Sequence, residues 1–288
     1  MVRVGFVTCV RLGLSCMQAI YDAGGELSIA CTLADDLAAH KAGRVFIDDF
    51  CGRREIPLAK CRNVNDPATL SFFQEARLDW LFIVGWSQIA RAGVLTAPRL
   101  GVLGMHPTLL PEGRGRAAIP WAILRGLSQT GVSLFKLDHG IDTGPIIAQV
   151  LVPVAARETA TTLYSKINIA HRTVLVNAWP DIAAGTAKLV PQNERDASVW
   201  PARTPSDGRI DATSSLEEAD RLVRATTRPY PGAFMDAAGG RLRIWSAVPY
   251  RDSPPPRLVR EGEYWRVPVR DGYLLVDDGE LESNGGPD

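Results

Sequence analysis

Leu78-Asp79-Trp80-Leu81-Phe82-Ile83-Val84 is the stretch on which the fold turns. A strand buried on both faces reads as a nearly continuous apolar run, which points to a parallel sheet covered by helices. Val4-Gly5-Phe6-Val7-Thr8-Cys9 is a second run of this kind. The apolar spacing over 13–21 predicts a helix ended at Gly24-Gly25. Residues 27–33 predict another strand, 34–44 a polar stretch and 45–51 a helix. Strands alternating with helices predict an α/β fold, a doubly wound (Rossmann-like) parallel sheet. Such sheets hold ligands beyond the carboxyl ends of their strands, so chemistry is expected just after Val84.

Further along, residues 159–187 predict a long helix with Leu163, Ile167, Ala170, Val174 and Trp179 near one face. Pro201 and Pro205 fall in a stretch of little periodicity. A helix over 216–226 then precedes short strands punctuated by Pro229, Pro231, Gly232, Gly239-Gly240 and Gly272, the pattern of a small β-rich domain. The expected division is a larger domain over 1–190, a linker over 191–206 and a smaller C-terminal domain over 207–288.

Composition narrows the function. The 32 lysines and arginines balance 32 aspartates and glutamates, which weighs against a protein built to hold a polyanion. Hydrophobic residues at 46% and charged residues at 22% exclude a disordered or fibrous chain. No apolar run reaches the roughly 18–20 residues that span a bilayer. The first residues enter a strand pattern directly, without a signal-peptide layout, so a cytoplasmic protein is expected. Cys9, Cys16, Cys31, Cys51 and Cys61 form an odd set without a CxxC pair. Reduced, buried thiols are expected rather than a disulfide framework or a zinc site.

Two segments are dense in punctuation and polar groups. Gly104-Met105-His106-Pro107-Thr108-Leu109-Leu110-Pro111-Glu112-Gly113-Arg114-Gly115 places His106 on a loop stiffened by two prolines. Residues 130–144 read as a strand followed by a glycine-bounded turn that presents Asp142. A histidine and a carboxylate on adjacent rigid loops can form a general acid/base pair, the carboxylate fixing the imidazole tautomer. By spacing alone, a loop histidine capped by a turn aspartate accounts for the same residues. Elsewhere His139 reads as a solvated turn residue, His171 as a packed or exposed helix residue, and His40, beside Lys41 and Arg44, as part of a solvated loop. Trp80, Trp86 and Trp121 read as core, with Trp86 the best placed for stacking.

The run H-P-T-L-L-P-E-G-R-G at 106–115, with T-G-V-S-L-F at 130–135 and G-I-D-T-G at 140–144, resembles the N10-formyltetrahydrofolate-dependent formyltransferases. That family is marked by an N-x-H-x-S-L-L-P-x-x-x-G loop and a D-x-G turn. The resemblance continues in V-G-W-S-Q at 84–88, D-G-R-I-D at 207–211, R-P-Y-P-G-A-F at 228–234 and I-W-S-A at 244–247, covering essentially residues 1–250. It implies His106 and Asp142 as the catalytic histidine and aspartate. It implies Gly85, Trp86, Ser87, Gln88, Leu109, Leu110, Pro111, Asp138 and Gly140 around the folate co-substrate, and no metal. Arg114 and Arg116, in the glycine-rich loop, are candidates to bind a carboxylate or phosphate of the second substrate, with simple loop salt-bridging as the competing reading. One position departs: the family's asparagine, two residues before the histidine, is Gly104. A carboxamide there would donate to a developing oxyanion. Another donor or a water replaces it, or the extra space admits a substrate group, or the activity is altered. The hydrolytic domain of formyltetrahydrofolate dehydrogenase also lacks the asparagine.

Within the resemblance three activities compete. The strand end at 85–88 and the segment at 228–234 look most like the branches that formylate small amines, nucleotide-linked amino sugars or hydroxyornithine-type metabolites. The branch that formylates methionyl-tRNA calls for a basic linker and a basic insertion after the second strand. Here the linker is near neutral and residues 34–44 hold only Lys41 and Arg44 as cations, which argues against tRNA. A hydrolase, or a folate-binding protein altered at Gly104, is the third reading, and the C-terminal domain argues against it. The acceptor's identity is not written in the two loops, and a homodimer is an expectation of the family only.

Overall fold

Strands β1 (Val4–Val7), β2 (Ile29–Leu33), β3 (Leu58–Cys61), β4 (Trp80–Ile83) and β5 (Gly101–His106) run parallel in the order β3-β2-β1-β4-β5 in the computed structural model, which describes residues 2–40, 44–237 and 239–283. Every residue of β1, β2 and β4 is buried, as the apolar runs required. In the register of β1 on β4, Phe6 lies opposite Phe82, and their rings stack at 5.7 Å. Strands β6 (Arg114–Gly115), β7 (Gln129–Lys136) and β8 (Ile146–Pro153) follow. β7 pairs antiparallel with β5, and β8 completes the seven-stranded sheet at its edge. The expected doubly wound sheet is present, with one reversed neighbour beside the strand that carries His106.

Helices α1 (Arg11–Asp22), α2 (Asp48–Gly52), α3 (Pro67–Glu75), α4 (Ala92–Leu95), α5 (Ala118–Leu124) and α6 (Ala160–Ala184) connect these strands. α1 buries Cys16, Met17, Ala19 and Ile20 on one side, the spacing of an amphipathic helix. The helix expected at 45–51 begins later, at Asp48. The Val45 amide donates to the Cys9 carbonyl at 3.1 Å and Arg44 bridges to Val10, which holds that stretch extended. A short 3₁₀ helix, Asp35–His40, precedes it. The His40 side chain and Lys41 lie outside the described residues. All five cysteines are buried free thiols.

The chain divides into two compact units that do not follow its linear order. One comprises Met1–Arg114, Gly131–Val152 and Ile167–Val199; the other comprises Gly115–Thr130, Pro153–Lys166 and Trp200–Asp288. The second unit is built on a five-stranded antiparallel sheet. Its strands are β10 (Ala233–Ala237), β11 (Gly240–Tyr250), β12 (Val259–Glu261), β13 (Tyr264–Val269) and β14 (Gly272–Ser283), in the order β10-β11-β14-β13-β12. Helix α7 (Leu216–Thr226) starts at a reciprocal cap: the Ser215 amide donates to Glu218 at 2.8 Å, and the Glu218 amide donates back to the Ser215 hydroxyl at 3.2 Å. Its Leu216, Ala219 and Val223 join Leu242, Ile244, Val267 and Leu274 in one core, and α5 packs on the same helix.

The segment expected as a linker is more ordered than its prolines suggested. It forms 3₁₀ turns at Glu194–Asp196 and Pro205–Gly208 and the short strand β9 (Val199–Trp200), which pairs with β6. The pairing fixes residues 192–198 against the loop after His106.

Candidate active site

His106 is the last residue of β5 and is buried. Its Nε2 lies 2.8 Å from the Gly113 carbonyl oxygen. A carbonyl can only accept, so Nε2 carries a proton and donates it. Nδ1 is then the nitrogen left to gain or lose a proton, and it faces Asp142 Oδ2 at 3.5 Å. That is an ion-pair distance, long for a hydrogen bond, and catalytic contacts are often this loose before substrate arrives. Asp142 holds a left-handed backbone, φ 55°, which is uncommon for a residue other than glycine. The two residues singled out by the sequence are therefore adjacent, and each sits on a constrained segment.

Side chains far along the chain impose that constraint. Ser133, buried on β7, donates its hydroxyl to the Thr108 carbonyl at 2.7 Å and accepts from the Leu110 amide at 3.0 Å. Gln149 on β8 donates to Ser133 Oγ at 2.7 Å and to the Leu110 carbonyl at 2.9 Å. On the other side of the loop the Gly113 amide donates to Ser198 Oγ at 2.9 Å, and the Arg114 amide to the Ser198 carbonyl at 2.9 Å. The Gln192 amide nitrogen donates to the carbonyls of Asp142 and Gly144 at 2.8 and 2.7 Å. These partners hold the histidine loop and the aspartate turn in one frame.

Arg114 belongs to that frame: of its two readings, the loop ion pair is present and substrate contact is not favoured. It is buried, forks onto both carboxylate oxygens of Glu194 at 2.9 and 2.7 Å, and donates twice to Gln192 Oε1. The hydrogen bonds with Arg114 hold the Glu194 carboxyl below its usual range. Arg116 is exposed and lies in the second unit, where its amide donates to the Trp200 carbonyl at 3.1 Å.

The residues expected around folate divide in the same way. Gly85 has φ 66°, and a Cβ there would meet Val10 Cγ2 at 2.3 Å, so glycine is required where β4 turns toward the site. Trp86 packs against the core, and its buried indole N–H has no hydrogen-bond partner among the described residues. Ser87 follows on the same exposed turn. Gln88 does not fit a ligand role: its carboxamide accepts from the Val64 amide and donates to the Arg62 carbonyl, both at 2.8 Å. Leu110 is buried, while Leu109 and Pro111 are half-buried. Asp138 accepts from the Gly140 amide at 3.0 Å and from Thr143 Oγ1 at 2.7 Å, which shapes the turn leading to Asp142. Gly144 approaches the Lys136 carbonyl so closely that a Cβ would stand 1.8 Å from its oxygen.

Gly104 lies on the same face of β5 as His106, two residues earlier. The extra space expected beside it is absent, because the Leu137 side chain fills that volume. His171 packs inside α6, with Nδ1 2.7 Å from the Ile167 carbonyl oxygen. Burial pushes its imidazole down to about 4, and the charge of His106 acts in the same direction. Among the described residues, no group of three His, Cys, Asp or Glu is placed to hold a metal ion, and no helix is long and apolar enough to cross a membrane.

Residues 31–179 match the family described as Formyl transferase, and residues 203–284 match Formyl transferase, C-terminal domain. The fold is shared with an N-formyltransferase from Helicobacter canadensis, solved with folinic acid and dTDP-3-aminofucose, at a TM-score of 0.73 and 16% identity over 97% of this chain and 100% of that one. It is shared with WlaRD, a sugar 3N-formyl transferase solved with dTDP and 5-N-formyl-THF, at 0.71 and 16% over 100% and 99%. A methionyl-tRNA formyltransferase from Clostridium thermocellum matches at 0.61 and 18% over 99% and 100%.

Proposed function

The chain belongs to the formyl transferase family, and from that premise we propose that it moves a formyl group from N10-formyltetrahydrofolate to the amino group of a small acceptor, a nucleotide-linked amino sugar. The observation that carries this reading is His106, with Nε2 tied to Gly113 and Nδ1 facing Asp142. Attack of an amine on the formyl carbon builds negative charge on the formyl oxygen and positive charge on the amine nitrogen. Protonated Nδ1 donates to that oxygen, and the Asp142 carboxylate receives the amine proton. The new C–N bond forms first; as the oxyanion collapses, the bond to N10 breaks, and the proton taken from the amine passes to N10 through the pair. Trp86, just beyond β4, is placed to offer its ring to the folate.

Support for a small acceptor comes from charge and from fold. The chain is formally neutral, which leaves little counterion release to drive tRNA binding. Two relatives that share its fold over nearly the whole chain were solved with sugar-nucleotide ligands or dTDP. The test is tetrahydrofolate release from formyltetrahydrofolate with a dTDP-linked amino sugar present and absent. Release that needs the amine is the expected result. Equal release without it makes the protein a hydrolase, and sub-micromolar binding of initiator methionyl-tRNA at physiological salt would replace the small acceptor.

A further inference from the structure

Gln88 ends the run V-G-W-S-Q, yet its carboxamide turns back onto the protein. Its Oε1 accepts from the Val64 amide and its Nε2 donates to the Arg62 carbonyl, both at 2.8 Å. Asn65 does the converse: its Nδ2 donates to the Ile89 carbonyl at 2.9 Å, and its Oδ1 accepts from the Arg91 amide at 2.8 Å. Each carboxamide thus engages, with both its donor and its acceptor, the backbone that flanks the other. The two segments follow β3 and β4, strands that are not neighbours, since β2 and β1 lie between them. Sheet pairing therefore does not set their spacing, and the two side chains do. Asn65 is itself held: its backbone amide and its Nδ2 both donate to Asn63 Oδ1 at 2.9 Å, and the Asn63 amide donates to Asp66 Oδ2 at 3.0 Å. The result is a reciprocal clasp seated on a firm turn.

What the clasp holds is the stretch between β4 and α4, which has no helix or strand of its own. Gly85, Ser87 and Ile89 are exposed there. In the register of β4 on β5, Ile83 lies opposite Gly104, so the chain leaves β4 at the level of Met105 and His106. Neighbouring strands stand about 4.8 Å apart, which puts the start of this turn one strand spacing from the strand that carries the histidine. Left to itself, such a stretch would sample many conformations, and a ligand that needs one of them would have to order it on binding. The clasp selects that shape beforehand. Fold stability asks little of it. Three of its four bonds are solvent-exposed and the fourth is partly buried, and at exposed positions water replaces a lost partner at small net cost. Val64, Phe73, Ile83 and Val94 already fix the β3–α3–β4 connection through a buried core.

We propose that Gln88 and Asn65 are positioning residues for the formyl donor: they preset the Gly85-Trp86-Ser87 turn that the folate meets, and touch no substrate themselves. The inference rests on the folate reading above. The test uses Gln88→Ala and Asn65→Ala, with urea unfolding of each variant alongside wild type. Titration with 5-formyltetrahydrofolate, whose formyl group sits on N5, reads donor binding without turnover. Each variant is expected to weaken that binding and to raise the donor KM at least about tenfold, while kcat at saturating donor and the KM for a dTDP-linked amino sugar hold within about twofold. The urea midpoint is expected to stay near that of wild type. The double variant should be little worse than either single one, because opening one side opens the clasp. Donor binding and donor KM unchanged in both folded variants overturn this role and leave the proposed function standing. A lowered urea midpoint, with kcat and both KM values shifted together, makes the clasp structural only and overturns the role as well. A wild-type protein that binds no 5-formyltetrahydrofolate overturns the folate reading itself, and this role with it.

Discussion

Leu137 occupies the volume that a side chain at Gly104 would need: a Cβ built on Gly104 falls 2.5 Å from Leu137 Cδ2 and 3.2 Å from its Cγ. Leu137 in turn packs with the core that includes Ile83 and Val102. Gly104→Asn must displace it, at an overpacking cost of about 1–3 kcal/mol. A restored oxyanion donor is worth a similar amount, but only if held close to its target position. We expect Gly104→Asn to lower turnover with the true acceptor, and Gly104→Asn/Leu137→Ala to recover part of the loss. Steady-state rates of the three enzymes check this; a severalfold gain from Gly104→Asn alone would show that Leu137 yields easily.

The His106–Asp142 pair should behave as one device. His106→Ala and Asp142→Ala are each expected to lower formyl transfer by at least about 100-fold, the smaller end of what a positioned acid/base contributes. Because the groups act together, the double variant should be little worse than either single one. Single-turnover transfer measures this. A variant that keeps more than about a tenth of the wild-type rate would remove its residue from the chemistry.

Gln192 is expected to matter although it lies 50 residues from Asp142. Gln192→Ala leaves the Asp142 and Gly144 carbonyls and part of the Arg114 fork without their partner, a loss of about 1–3 kcal/mol. With Asp142 free to leave φ 55°, kcat should fall about tenfold or more, since small misplacements of reacting groups are costly. The formyl-donor KM should change little. Stopped-flow rates alongside urea unfolding separate the two effects: unchanged kcat with reduced stability would make Gln192 merely structural.

His171 should make the protein acid-labile. Its folded-state value lies near 4 against an ordinary 6.5, lowered chiefly by burial. A depressed histidine value means that the unfolded chain takes up the proton first. Stability is therefore full above about pH 6.5 and declines as pH falls toward 4, by about 3 kcal/mol across that window. Urea midpoints at several pH values report the slope, and His171→Phe should flatten this part of the curve. An identical slope in both proteins would place the acid sensitivity elsewhere.

The central sheet was legible because β1, β2 and β4 are buried on both faces and so have no polar alternation to blur them. The prolines and glycines around His106 and Asp142 marked two rigid loops, and the resemblance of 106–115 and 140–144 to the formyltransferase motifs singled out the two residues. Gln192, Ser198 and Glu194 were not, since their contacts join residues about 50 to 85 positions apart. Nothing in local periodicity records such a contact. The two readings of Arg114 could not be separated for the same reason: its sequence shows a cation in a glycine-rich loop, while the partners that make it a loop ion pair lie 78 and 80 residues away. The helix at 45–51 slipped because Arg44 and Val45 are taken by the strand end at Cys9 and Val10.

The hydrogen bond from Gly113 to Ser198 also has a meaning in time. A ribosome makes the β5 strand and the loop after His106 well before it reaches Ser198, the partner of that loop 85 positions after Gly113. Domains fold as they emerge, from the N-terminal end onward, so the sheet forms around an open cradle. The loop that follows His106 thus gains its last hydrogen-bond partner only once Ser198 has been made, so the candidate site is among the later parts of the sheet unit to be completed.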